Sequence, residues 1–590
     1  MALPNTNTAH APLTSVQRVR IWYGFLLLII AIFVVRLFYV QVIRYDHYKH
    51  AALSDQLKQY EIPASRGIIS AQEGGQAVPI VLNIQLYTLY ADPTFIKNPD
   101  TVAVKIAGII GGKAQTYSDL LKMKKLRYVI LAKKITAEQQ AKILALKYPG
   151  VGAQAQNYRT YPQGALAAQE LGFVSDSGKG EYGVEQALNK QLAGTPGELK
   201  AITDISGVPL AASRDNTETP ATNGTDINLT LDLSMQQQLE NILKAAAQKT
   251  KTQHASALIM DVNTGAIKAM ANFPTYDPSK YYDVSDGSVF QNGAVSDPIE
   301  PGSIMKSLTT AAGLDMGAFS PGVTYYDPAK WVVDGFTIKN IEEDGGAGTK
   351  SLYDLLNLSL NTGATWELMQ MGGGEINTKA RNTWYDYLTN HFMFGKETGV
   401  EQGYESPGVV TGPKDTGSAI NLTYAETSFG QAIQTTPIQM AGALSAVLNG
   451  GTYYQPRLVD SYTDANGKTT MVAPKALRTN DFKPSTGEAL IPMLQYSIQH
   501  HNPQPAFDQN RYTVGGKTGT AQLAVNGIYS ATEFNGTYLG FVGGEKPQYV
   551  ICVYMQKPKV DYYAGTAAAQ PVFVSLAHML IDSSFVTPKH

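Results

Sequence analysis

The chain has 590 residues, 44% of them hydrophobic and 16% charged, with a formal net charge of -2. That length points to two to four domains with sizeable cores, and the near-neutral charge excludes a nucleic-acid binder built on a basic stripe. A single cysteine, Cys552, excludes both an intrachain disulfide framework and a cysteine-rich zinc site.

The first element in chain order is an apolar run over residues 21–43. As a helix it would span about 34 Å, enough for a bilayer core. Trp22 and Tyr23 mark one interface and Tyr39 the other. No A-x-A cleavage signal follows, so the segment is expected to remain as an anchor. The tail before it, 1–20, carries Arg18 and Arg20 and no acidic residue. This bias predicts a cytoplasmic N-terminus in a single-pass membrane protein, with the bulk of the chain on the far side. Arg36 lies in the outer third of the run, where it is expected to snorkel or to meet a partner membrane helix.

Residues 44–225 read as an α+β region of short elements, strand-like over 78–90 and helix-like over 137–146. The polar stretch 215–226 reads as a linker or exposed loop. Beyond it, 227–232 alternates like a strand, and 234–248 reads as a helix capped by Asp232 or Ser234. Two β-rich runs around Asn263-Thr264-Gly265 predict a hairpin over 255–270. Helices are expected over 303–314 and 352–368, and antiparallel core strands over 538–542 and 549–555, the second burying Cys552. Helices followed by late strands around one large core suggest a layered α/β domain.

Three short motifs carry the chemistry. Ser303-Ile304-Met305-Lys306 places a lysine one helical turn after a serine, on the same face. A helix start also supplies backbone N–H groups and positive potential for a developing oxyanion. Alone, such a pair is an ordinary coincidence. Ser359-Leu360-Asn361 alone would read as helix-cap and turn residues. Lys517-Thr518-Gly519-Thr520 follows Gly515-Gly516 and imitates a nucleotide loop, but Arg511 stands where that loop needs glycine. No histidine falls in these motifs, and no G-x-S-x-G or H-E-x-x-H is present, which argues against a histidine triad or a zinc site.

In this order the three motifs form the signature of penicillin-binding proteins and class A β-lactamases. The chain resembles the penicillin-binding transpeptidase family, and more closely its class B, monofunctional, membrane-anchored members. The resemblance runs along nearly the whole chain. Arg66-Gly67-Ile68-Ile69 with Gly74, Tyr161-Pro162 with Gly164, Ala167 to Val174, and Gly180, Gly183 and Glu185 look like the family's pedestal motifs. Phe273-Pro274, Glu300-Pro301-Gly302, Phe394-Gly395, Phe429-Gly430-Gln431, Thr436-Pro437 and Asn449-Gly450-Gly451 look like its catalytic half. Leu360 stands where a small residue is common, Met305 where Thr or a Val-like residue is frequent, and Asn292-Gly293 where Asn-Arg is usual. These departures bear on substrate preference and antibiotic affinity more than on the chemistry.

The resemblance implies a single transmembrane helix over 21–43 and an α+β, dimerisation-like pedestal over 44–225. It further implies an α/β penicillin-binding/β-lactamase-like transpeptidase domain over 226–590, its central antiparallel sheet flanked by helices. The implied activity is D,D-transpeptidation of stem peptides ending in D-Ala-D-Ala, through a serine acyl-enzyme and without cofactor or metal. Ser303 would be the nucleophile and Lys306 its base, neutral through burial and nearby cations such as Lys517. Ser359 would relay a proton to the leaving group, and Asn361 would orient Lys306 or the substrate amide. Lys517, Thr518, Gly519 and Thr520 would hold the terminal carboxylate, and the backbone N–H groups of Ser303 and Thr520 would form the oxyanion hole. β-Lactams are expected to acylate the same serine. No glycosyltransferase-like region precedes the pedestal, so a separate membrane glycan polymerase is an expected partner. Asn361 and the Lys517–Ala521 run favour the division branch, with divisome proteins meeting the transmembrane helix and pedestal. The competing readings are a D,D-carboxypeptidase or β-lactamase, in which a carboxylate such as Glu367 or Glu426 would activate water, and a non-catalytic β-lactam sensor or scaffold.

Overall fold

The computed structural model describes residues 15–49, 57–202, 217–340, 346–414, 419–500, 507–525 and 528–589. The apolar run forms a helix, Ser15–Phe38, that continues into one π-helical turn, Tyr39–Ile43. Its start lies six residues before the apolar run, because Ser15, Gln17, Arg18 and Arg20 extend the helix without needing lipid. The whole span is long and apolar enough to cross a membrane, and its large apolar side chains are exposed. Arg36 stacks over the Tyr39 ring, 5.5 Å from its centroid, which turns the charge toward the interface end of the helix.

Chain contacts divide the molecule into two units. The smaller contains an antiparallel three-stranded sheet of Leu57–Ile62, Gly197–Ile202 and Thr217–Thr219. The last strand lies within the stretch read as a linker. Its threonines suit a strand, and Glu198 pairs with Thr219 in register. Residues 215–216 of that stretch lie outside the described residues.

Among the described residues, the larger unit holds two large sheets besides four two-stranded ones. The first has seven strands and is centred on Ile69–Glu73 and the long strand Gln76–Ala91. The helix expected over 137–146 spans Ala137–Leu144 and opens on a capping box between Thr136 and Gln139. Strand Asp226–Asp232 pairs in parallel with Ile69–Glu73 and antiparallel with Val459–Thr463. One sheet therefore joins chain from both sides of residue 225. The pedestal motifs meet beside it. Glu185 accepts from Arg66 Nε at 2.7 Å and from Arg159 Nε at 2.8 Å, and all three side chains are buried. Arg159 also donates to Gly67 O, and Arg66 to Asn189 Oδ1.

The second sheet has five antiparallel strands in the order Ile267–Phe273, Ala255–Asp261, Pro547–Met555, Ile528–Gly543, Thr513–Val525. The first two form the expected hairpin, and Cys552 is fully buried in the central strand. Alternation gives each strand two apolar faces. On one, Ala257, Ile259, Ile551 and Val553 pack against helices Leu233–Thr250 and Gln570–Asp582. On the other, Leu258, Met260, Val550 and Cys552 pack against Met305–Met316, Pro437–Leu448 and Pro484–His500. Asp232 caps the Leu233–Thr250 helix by accepting from Ser234 and Met235 N–H groups. The outer edge of this sheet is Thr513–Val525, the strand that carries Lys517 to Thr520.

The one helix expected over 352–368 is two, Leu352–Asn357 and Asn361–Gly372. Between them Ser359 adopts a left-handed backbone with φ of 59°. The apolar periodicity runs through this break, because Leu360 remains in the core at 0% exposure. Periodicity therefore signalled burial correctly and helix continuity wrongly.

Candidate active site

Gly302–Ile304 form a single 3-10 turn leading into helix Met305–Met316, so Ser303 stands at a helix start. Two glycines make that turn possible. Gly302 has φ of +63° and Gly430 has φ of +84°, and a Cβ on Gly430 would fall 2.0 Å from Gly302 O. The Gly302 N–H donates to Gly430 O at 2.9 Å. One turn further along the helix, Thr309 Oγ1 donates to Ser428 O at 2.7 Å. Met305 and Ile304 are fully buried, so the apolar Met305 acts as core filling behind the serine.

Lys306 is fully buried, yet its Nζ reaches four oxygens. It lies 2.9 Å from Ser303 Oγ, 2.5 Å from Ser359 O, 3.2 Å from Ser359 Oγ and 2.8 Å from Asn361 Oδ1. The left-handed turn at Ser359 presents both its carbonyl and its hydroxyl to one point. Asn361 is oriented by its own amide, whose Nδ2 donates to Lys339 O at 3.3 Å. The hairpin Lys330–Val333/Phe336–Lys339 is fastened at the same place: Trp331 Nε1 donates to Thr362 O, and Asn340 Oδ1 accepts from Thr362 N. Ser359 O and Asn361 Oδ1 are pure acceptors and occupy two N–H bonds of the lysine. The direction toward Ser303 is left for a third proton in the ammonium form, or for the lone pair in the neutral form.

The third motif joins through backbone packing. A Cβ on Gly519 would lie 2.2 Å from Thr537 Oγ1 and 2.9 Å from Pro301 O, so only glycine lets this edge strand lie against the Ser303 turn. Thr537 Oγ1 donates to Pro301 O at 2.8 Å and braces the turn from the neighbouring strand. Lys517, 1% exposed, donates to Thr518 O at 3.0 Å and Thr518 Oγ1 at 3.3 Å. Thr520 Oγ1 accepts from Gly565 N–H at 3.1 Å, which leaves its hydroxyl proton to be donated outward. Both lysines are buried, whereas Ser303, Ser359, Asn361, Thr518 and Thr520 are partly exposed.

Sequence reading missed the bracing residues Thr537, Gly565 and Asn340. Each is a common residue type with no local signal, and each acts from a distant part of the chain. Glu367 and Glu426 are now placed. Glu367 is fully buried, and its Oε1 accepts from Thr310 Oγ1 at 2.7 Å. Burial pushes its carboxyl up to about 8, against the opposing pull of the Thr310 bond and Lys306. Burial, reinforced by Glu300, pushes the Glu426 carboxyl up to about 7.

The fold is that of the penicillin-binding transpeptidase class. The penicillin-binding protein transpeptidase-domain model matches residues 255–578, and the penicillin-binding protein dimerisation-domain model matches residues 61–229. The chain belongs to the penicillin-binding protein transpeptidase family, as a membrane-anchored class B member. It is 27% identical over 558 residues to stage V sporulation protein D of Bacillus subtilis, covering 94% of this chain and 84% of that protein. It is 29% identical over 600 residues to penicillin-binding protein PbpB of Mycobacterium tuberculosis, covering 94% and 83%. It is 23% identical over 593 residues to peptidoglycan D,D-transpeptidase FtsI of Escherichia coli, covering 99% and 95%. In fold it is similar to penicillin-binding protein 2X of Streptococcus thermophilus, with a TM-score of 0.71 at 23% identity, over 90% of this chain and 80% of that one.

Proposed function

We propose that this protein is a peptidoglycan D,D-transpeptidase that crosslinks stem peptides through a Ser303 acyl-enzyme in septal wall synthesis. One observation carries the mechanism: Lys306 Nζ lies 2.9 Å from Ser303 Oγ while Ser359 O and Asn361 Oδ1 hold its other side. Ser303 Oγ attacks the carbonyl between two terminal D-Ala residues, and its proton passes to Lys306. The tetrahedral oxyanion sits on the backbone N–H groups of Ser303 and Thr520. The C–N bond then breaks, and terminal D-Ala leaves with a proton relayed through Ser359. An amine from a neighbouring stem attacks the ester, the new amide forms, and Ser303 regains its proton. Lys517, Thr518 and Thr520 hold the substrate's terminal carboxylate along the exposed edge of the sheet.

The fully buried position of Glu367 speaks against its activating water. The tail 1–20 is read as cytoplasmic, 21–43 as the anchor, 44–225 as the pedestal and 226–590 as the transpeptidase domain outside the membrane. A membrane glycan polymerase and division proteins are the partners this layout suits. β-Lactams mimic the D-Ala-D-Ala end and acylate Ser303.

The test is fluorescent penicillin on the purified full chain. Wild type labels covalently and Ser303→Ala does not; equal labelling of the two sinks the assignment. With stem peptides, mass spectrometry is expected to show crosslinked dimer. Release of D-Ala with hydrolysed monomer alone would make the protein a carboxypeptidase. A tagged copy is expected at the division septum, and uniform sidewall signal would refute the septal role.

A further inference from the structure

Away from Ser303, a cavity of about 30 Å³ is lined by residues that include His254, Ser256, Asn272, Gly293, Asp297 and Tyr554. That is room for one occupant of water size. Three of these side chains face it for a topological reason. Ser256 stands directly opposite both Asn272 and Tyr554 in the antiparallel register, and cross-strand partners project to the same face. The amide of Asn272 has a fixed orientation, because its Nδ2 donates to Glu170 Oε1 at 3.2 Å and Asn292 Oδ1 at 3.0 Å. Asn272 Oδ1 is buried and has no hydrogen-bond partner among the described residues. Ser256 is 1% exposed, and its hydroxyl has no partner among them either. Asp297 adds a carboxylate. A Cβ on Gly293 would lie 2.7 Å from Asp297 Oδ2 and 3.4 Å from Asn272 Oδ1, so the absent side chain leaves both oxygens bordering one point.

We propose that this cavity binds a small hard cation of the calcium class, held by the Asp297 carboxylate, the Asn272 carbonyl and the Ser256 hydroxyl. Oxygen donors of this kind select hard cations over soft metals. Asp297 repels an anion, and an apolar guest would leave the buried oxygens unsatisfied. A single carboxylate places the site among weak extracellular ones, with a Kd of about 10⁻⁴–10⁻³ M. The consequence is mechanical. Ser256 and Asn272 belong to the central sheet, whereas Asp297 lies six residues before Ser303 in the segment that ends at the nucleophile. A bound cation ties that segment to the sheet.

The test uses the full chain in detergent, stripped with a chelator and titrated with calcium chloride. Calorimetry is expected to show one saturable site, and thermal unfolding a rise in midpoint of about 1–3 °C at saturation. Asp297→Asn is expected to weaken binding at least tenfold. Gly293→Arg sends a tethered cation into the same cavity and is expected to abolish binding. Cooperative unfolding in chelator is the folding control for both variants. A titration with no saturable heat and no midpoint shift overturns the proposal and leaves a water cavity. Undiminished calcium binding by either folded variant overturns it as well, since the cation would then sit elsewhere.

Discussion

Arg66 and Arg159 meet the two oxygens of Glu185 in the dimerisation-domain region, whereas the hydrogen bonds of Lys306 run to hydroxyl, carbonyl and amide oxygens in the catalytic region. Both clusters bury cations, and both depend on residues far apart in sequence. They differ in what the cation is able to do. A guanidinium stays charged, so a buried one needs an anion and locks whatever chain segments supply it. A lysine amine, unlike a guanidinium, has an accessible neutral form. The first arrangement holds a sheet together. The second, in the proposed mechanism, keeps a base beside a nucleophile.

That contrast is most sharply broken at Lys306. Lys306→Arg keeps the charge and most of the volume but removes the neutral form. The rate of fluorescent penicillin acylation is expected to fall about 10²–10⁴-fold in stopped-flow labelling. An unchanged rate would mean the amine is not the base. In the other cluster, Glu185→Ala leaves two guanidinium groups buried without their shared anion. Denaturant unfolding is expected to show a loss of about 3–5 kcal/mol, with little change in the acylation rate of the folded fraction. A large rate loss in folded protein would mean the two clusters are coupled.

Gly430→Ala probes the turn and not the charge. Its Cβ would fall 2.0 Å from Gly302 O, so Ser303 must shift. Acylation is expected to slow about 10²-fold with Tm less affected, the scale of a misplacement near 1 Å. The effect that is smallest at any one pH step concerns Glu367. Its carboxyl is raised to about 8 in the folded protein against an ordinary 4.5, so the native state holds a proton that the unfolded chain releases. Stability contributed by this group is therefore present at low pH and lost as pH rises between those two values. The slope is expected to approach, at most, about 1.4 kcal/mol per pH unit, and Glu367→Gln should flatten it in pH-dependent unfolding. A wild-type stability that rises over the same window, relative to Glu367→Gln, would reverse the assignment.

Much of this was legible before folding. The membrane helix, the 255–270 hairpin, the Asp232-capped helix and the buried strand around Cys552 follow from period and turn chemistry, which are local. The break at Ser359 was not legible, because Leu360 keeps the apolar period across it and a serine at positive φ carries no mark in the sequence. The strand Thr217–Thr219 was missed because pairing with Gly197–Ile202, and not its own composition, makes it a strand.

At Ser303 and Lys306 the division is clear. Their helical spacing was legible along the chain, and the order of the Ser359–Asn361 and Lys517–Thr520 motifs pointed to the family. The burial of Lys306, the turning of two Ser359 oxygens onto it, and the approach of the edge strand to the Ser303 turn at Gly519 emerge only on folding. The reason is physical. Spacing along one helix is set by local backbone geometry, whereas burial and the approach of separate segments depend on packing that no short stretch of chain contains.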